Sequence, residues 1–215
     1  MRTSRPHWIE LVVFALVCVL APCYGQGTFT WITFDGPPVI PPGTSKIVQQ
    51  YYEAGISFTP IDPNAPFAGF IRSGGGRPST PENGTAYLQA DVAASLKFSA
   101  MNGFLLELLA VDLAEYSTLF QQPLAVRFVG YKPDGSTVTT NLVTDGIIDG
   151  MGPLADFETF TFGPEFSGLT RVEIPTTGWS LDNLCLFVPE PGTGALVLVG
   201  TAVLAVGFLK RKTRS

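Results

Sequence analysis

The side chains able to do chemistry here are carboxylates, with aromatic rings as a second resource, because the usual catalytic groups are nearly missing. The chain of 215 residues has one histidine, His7, and three cysteines, Cys18, Cys23 and Cys185. His7, Cys18 and Cys23 fall in the N-terminal leader described below. The remainder therefore has no imidazole and a single thiol. This excludes Ser-His-Asp and Cys-His catalysis and histidine-based zinc sites, and it excludes an internal disulfide even in an oxidising compartment. Cys185 sits between Leu184 and Leu186, which suits a buried structural thiol better than a reactive one.

Carboxylates are plentiful. Between Gln26 and Phe187 seven basic side chains face sixteen acidic ones, a formal charge of −9. Such a surface repels nucleic acid and lacks the basic footprint of a nucleic-acid binder. It can attract Ca²⁺, which takes 6–8 oxygen ligands. Asp145-Gly146-Ile147-Ile148-Asp149-Gly150 is an acidic loop without EF-hand spacing, and its two Asp-Gly pairs are also ordinary turn chemistry. Glycoside hydrolysis needs two facing acids in a cleft. Glu107 and Asp112 lie in an apolar run, and Glu53, Glu158, Glu165 and Glu173 are scattered, so nothing selects a pair. The expectation is a non-enzymatic protein with no cofactor beyond a structural calcium. Trp31, Trp179, Tyr51, Tyr52 and Tyr131 could present flat faces to sugar rings, or fill a core. Tyr51 and Tyr52 are neighbours, so in a strand they point to opposite faces.

The elements that must position these groups read as β-structure. Short β-branched and aromatic runs alternate with turn residues. The spacing predicts strands over 28–34, 55–59, 87–89, 95–98, 104–113, 125–131, 136–143, 157–162, 169–174 and 178–187. Phe104–Leu113 is apolar on both alternating faces, as in a strand covered on two sides, although its Leu, Glu and Ala content also allows a helix. Lys132-Pro133-Asp134-Gly135 between two β-branched runs predicts a hairpin, since proline presets φ and glycine accepts φ > 0. The stretch 62–83, with Gly74-Gly75-Gly76 at its centre, reads as loop. About ten strands without a convincing helix predict one all-β domain over 26–187, a β-sandwich of jelly-roll or galactose-binding-like type.

Both ends read as targeting segments. Arg2 and Arg5 precede an apolar run, Leu11–Ala21, and Cys23 and Gly25 offer small residues before a cut after Gly25. This pattern predicts a helical signal peptide over 1–25. Leu20-Ala21-Pro22-Cys23 resembles a lipobox only faintly, because Pro22 stands where a small residue is expected. At the C-terminus, Val188-Pro189-Glu190-Pro191-Gly192 is followed by eighteen uncharged residues, 192–209, and by Lys210, Arg211, Lys212 and Arg214. As a helix this span would be roughly 27 Å long, close to the ~30 Å bilayer core, so a transmembrane helix over 192–209 is predicted. The basic residues fix its C-terminus in the cytoplasm.

These three parts, in this order and position, resemble the PEP-CTERM sorting signal (motif 188–192, span 192–209, basic tail 210–215). The resemblance implies a Gram-negative bacterium making exopolysaccharide. It also implies recognition of Pro189, Glu190 and Pro191 by an exosortase, transient residence in the inner membrane, and release or transfer to the cell surface or matrix.

Ile32-Thr33-Phe34-Asp35, Tyr52–Phe58 and Trp179–Leu184 further resemble jelly-roll domains of PEP-CTERM proteins and carbohydrate-binding modules. In such sandwiches the first and last strands lie close, and an acid from each can hold a structural Ca²⁺. Asp35 and Asp182 match those positions, though a turn start and a strand-end cap are the simpler account of them. Tyr51, Tyr52 and Trp179 are the corresponding glycan-contact candidates. The expected role is a structural or adhesive one in the exopolysaccharide layer. A carbohydrate-binding module is the alternative, and a glycan-active hydrolase the third reading.

Overall fold

The computed structural model describes residues 27–64, 69–90, 95–119 and 121–189. The leader over 1–25 and the span over 192–209 lie outside the described residues. Among the described residues no helix is long and apolar enough to cross a membrane.

The described chain forms two sheets of short strands. Their ranges are β1 Gly27–Ile32, β2 Ser45–Val48, β3 Tyr51–Glu53, β4 Ile56–Pro60, β5 Phe70–Ser73, β6 Tyr87–Gln89, β7 Leu96–Ala100, β8 Glu107–Glu115, β9 Ala125–Tyr131, β10 Thr137–Val143, β11 Glu158–Thr161, β12 Arg171–Ile174 and β13 Trp179–Pro189. A single 3₁₀ turn, Pro164–Phe166, interrupts them. One sheet has the order β11-β8-β13-β6-β5-β2, with β1 also on β13, and the other has the order β10-β9-β12-β7-β4-β3. Neighbours such as β9/β10, β8/β13 and β4/β7 run antiparallel. The result is an all-β, two-layer sandwich.

Alternation of side chains builds the core. Ile56 and Phe58 of β4, Leu96 and Phe98 of β7, and Val126 and Phe128 of β9 point inward and are buried. The intervening Ser57, Thr59, Lys97 and Ser99 are half-buried on the outer face, as a one-sided sheet requires. Phe34, Tyr51, Phe58 and Phe98 pack in tilted and edge-to-face pairs with ring centroids 5.4–6.0 Å apart. A second group, Phe128, Phe162 and Phe166, packs at 5.0–5.1 Å. Tilted and edge-on pairs at these distances are the favoured aromatic geometry.

The hairpin forms where expected. Tyr131 pairs with Thr137, Gly135 takes φ 85°, and Asp134 Oδ1 accepts the Ser136 N–H at 2.9 Å. The Phe104–Leu113 region is a strand, held on both edges by β11 and β13. The stretch 62–83 is not all loop, because β5 lies inside it and pairs with β2 and β6.

β13 changes phase midway. Trp179 and Leu181 face the core, and so do Leu184 and Leu186. The two pairs differ in parity, and the register against β8 shifts between Asp182 and Cys185. Asn183 absorbs the extra residue at φ 45°, a conformation that asparagine tolerates better than most residues.

The two outer faces differ. That of the β9/β12/β7/β4 sheet is open and polar. That of the β8/β13/β6 sheet is roofed by loops: Gln89 Nε2 donates to the Tyr116 carbonyl at 2.8 Å, Thr118 N to the Ser79 carbonyl at 3.1 Å, and Gln121 Nε2 to the Ile148 carbonyl at 2.8 Å. Polar Gln89, Ser180 and Asp182 are buried beneath this roof.

Candidate functional site

The turn after β1 is clamped by one cation and one anion. Phe34 takes φ 58°. Glu53 holds it there by accepting the Phe34 N–H at 2.9 Å, the Thr33 N–H at 3.3 Å and the Tyr51 hydroxyl at 2.7 Å. Arg72, fully buried on β5, donates to the carbonyls of Pro38 at 2.7 Å, Gly36 at 2.8 Å and Phe34. Its guanidinium lies 4.2 Å from the Tyr51 ring centre. Burial pushes the Tyr51 hydroxyl up and the Arg72 guanidinium down from their usual ranges.

Asp35 follows this clamp and is exposed, with Oδ1 accepting the Ala86 N–H at 2.9 Å. Asp182, on the roofed face of β13, is 0% exposed. Its Oδ2 accepts Asn83 Nδ2 at 2.6 Å and the Thr85 hydroxyl at 2.7 Å, and its Oδ1 accepts the Asn183 N–H at 2.7 Å. Burial pushes this carboxyl up to about 7, the Asp35 charge adds to the rise, and the three donors oppose it. The structure thus brings Asp35 and Asp182 into electrostatic range, but both oxygens of Asp182 are turned onto neutral donors. Burial, against the pull of these donors, is what lets the carboxyl hold a proton near neutral pH.

A second acidic group, not selected from the sequence, lies at the end of the sandwich. Glu115 ends β8, Asp145 follows β10, and Glu158 opens β11. One carboxylate oxygen from each lies within 4.8 Å of the others. The Asp145–Gly152 loop is therefore divided. Asp145 joins Glu115 and Glu158, whereas the Asp149 N–H donates to buried Asp156 at 2.8 Å. Burial raises the carboxyls of Asp156 and Glu158 above the usual range.

The aromatic candidates separate on burial. Tyr51 and Trp179 are buried in the core, so neither offers a face to a sugar, and their assignment as glycan contacts is corrected. Trp179 Nε1 donates to the Thr176 carbonyl at 2.7 Å, which satisfies the polar end of an otherwise apolar ring. Tyr52 is 47% exposed. Tyr131 carries the Arg171 guanidinium 3.6 Å from its ring centre and donates its hydroxyl to Glu173 at 2.7 Å. An open cleft of about 370 Å³ is lined, among the described residues, by Gln49, Gln50, Thr59, Pro60, Pro63 and Lys97, none of them aromatic. Cys185 is buried, unpaired among the described residues, and pushed up by burial.

β13 runs to Pro189. Glu190, Pro191 and the basic residues Lys210, Arg211, Lys212 and Arg214 lie outside the described residues. Residues 187–212 match the PEP-CTERM protein-sorting motif. No curated protein matches the chain. Among solved structures, the family 11 carbohydrate-binding module of a cellulosomal cellulase from Clostridium thermocellum is similar over 77% of this chain and 96% of that one, at 8% identity and a TM-score of 0.27.

Proposed function

We propose that this chain is an exported, non-enzymatic surface protein. Its sandwich takes a structural or adhesive place in an exopolysaccharide matrix after an exosortase acts at Pro189-Glu190-Pro191. The observation that carries the reading is the sorting motif over 187–212, which implies export and exosortase processing. The order of events follows from physical chemistry. The apolar span holds the chain in the inner membrane, the basic end keeps its C-terminus cytoplasmic, and the working protein is the sandwich alone.

The matrix role is supported by what the sandwich offers. Its open face is polar, with Ser57, Thr59, Lys97 and Ser99 in adjacent rows. Carbohydrate binding as a dedicated module is the lesser reading. It rests on exposed Tyr52 and on the open cleft near it in sequence, without a row of stacked rings.

Intact-mass measurement of the surface-released protein tests the processing. The expected C-terminus lies between Pro189 and Pro191. A released chain still ending at Ser215 would leave a plain membrane anchor in place of a sorting signal. Retardation in gels containing the cell's own exopolysaccharide tests the matrix role, and unchanged mobility at all polymer concentrations would count against it.

A further inference from the structure

We propose that Glu115, Asp145 and Glu158 together hold one divalent cation, and that the cation is calcium. Three observations converge on this site. The first is geometric: oxygens within 4.8 Å of one another can share an ion whose bonds are about 2.4 Å long, as those of calcium are. Magnesium demands a stricter octahedron with bonds near 2.1 Å and gives up its waters reluctantly, so carboxylates gathered from three strand ends suit the more adaptable calcium. All three donors are hard carboxylate oxygens, which suit calcium rather than zinc or copper.

The second observation is an orphaned oxygen. Glu115 is 1% exposed, and its Oε2 is buried with no hydrogen-bond partner. A buried carboxylate oxygen left bare is strongly unfavourable unless an opposite charge meets it. Among the described residues no basic side chain forms an ion pair with any of the three acids. Their charges push against one another instead.

The third is how the remaining oxygens are used. Glu115 Oε1 accepts the Thr144 hydroxyl and, at 2.8 Å, the Gly146 N–H. Glu158 Oε1 accepts the Asp145 N–H at 2.7 Å. Asp145 Oδ1 accepts the Ile147 N–H at 2.7 Å. Each carboxylate therefore spends one oxygen fixing the loop and has a second to offer. Gly146 makes the tight approach feasible. It sits at φ 80°, and a Cβ there would come within 2.9 Å of Pro123. The three acids come from the ends of three strands in both sheets, so a bound ion would tie together the exits of β8 and β10 and the start of β11. With three protein carboxylates, the shell is completed by water or nearby carbonyls, and an affinity in the extracellular range of about 10⁻⁴–10⁻³ M is expected.

The test uses the full chain, purified in detergent and stripped with chelator. Calorimetric titration with CaCl₂ should show one ion per chain, and 10 mM CaCl₂ should raise Tm by about 5 °C. MgCl₂ at the same concentration should give a smaller shift. Glu158→Gln, at the half-buried start of β11, and Asp145→Asn, on the exposed loop, should each weaken calcium at least tenfold and remove most of the Tm shift. Glu115→Gln should do the same, and if it fails to fold, the other two variants decide. An unmoved Tm and no binding heat in the parent chain would overturn the proposal. So would a calcium response that survives intact in both Glu158→Gln and Asp145→Asn.

Discussion

Asp182 and Glu115 are both acids shut away from water in the same sheet, yet they are buried on different terms. Asp182 is met by an amide, a hydroxyl and a backbone N–H. Glu115 is met at one oxygen by a hydroxyl and an N–H, and at the other by nothing, while Asp145 and Glu158 crowd it. Neutral donors at both oxygens offset part of the cost of burying the Asp182 carboxyl, while burial itself lets it hold a proton. Glu115, with one oxygen bare and two more acids crowding it, lacks that compensation and calls for a cation. Burial is therefore a poor guide to a metal site, and the identity of the partners is a good one.

The largest expected effect is at Arg72, whose charge acts on Tyr51, Glu53 and Asp35 around the turn after β1, whereas among the described residues no cation meets the Glu115 group. Arg72→Ala should lower stability by about 3–5 kcal/mol, equally with and without calcium, as read by urea unfolding. A loss below about 1 kcal/mol would mean that the clamp after β1 does not organise that corner.

Next comes pH. The Asp182 carboxyl titrates at about 7 when folded and near 3.9 when unfolded. Its folded value is raised, so its contribution to stability is fully present below about pH 4 and is lost as pH rises through 7. At about 1.36 kcal/mol per unit, the swing approaches 4 kcal/mol. Relative to Asp182→Asn, the parent chain should gain stability between pH 8 and pH 5. Parallel pH profiles of the two proteins would show that Asp182 is ionised in the fold at neutral pH.

The third test sharpens the contrast directly. Asp182→Asn should keep its calcium-dependent rise in Tm, worth about 2 kcal/mol at tenfold or greater excess over the dissociation constant. A calcium response lost in Asp182→Asn and kept in Glu158→Gln would reverse the comparison and place the ion between Asp35 and Asp182. The smallest effect calibrates the others. Glu173 is paired with Arg171 at 2.9 Å on the open face, and Glu173→Gln should change stability by less than about 1 kcal/mol.

Much of the fold is legible in the sequence, because strands with one wet face advertise themselves by alternation and the Pro-Asp-Gly turn has its own chemistry. β5 is not legible, since Phe70-Ile71-Arg72-Ser73 is four residues set among glycines and prolines, and only its partners β2 and β6 make it a strand. The Asn183 bulge left a readable trace in the shift of apolar parity from Trp179 and Leu181 to Leu184 and Leu186. The acidic group of three left none. Thirty positions separate Glu115 from Asp145, and the strand order that unites them is a property of the whole chain. Tyr51 and Trp179 teach the converse lesson. Residue type marks a ring as able to stack on sugar, but only packing decides whether it faces out.

β13 runs into Pro189, the first proline of the Pro189-Glu190-Pro191 sequence. Any drag on a domain held there would enter along β13, which lies between β8 and β6. The load would then fall on both rows of hydrogen bonds in shear, so they would resist together instead of unzipping one by one.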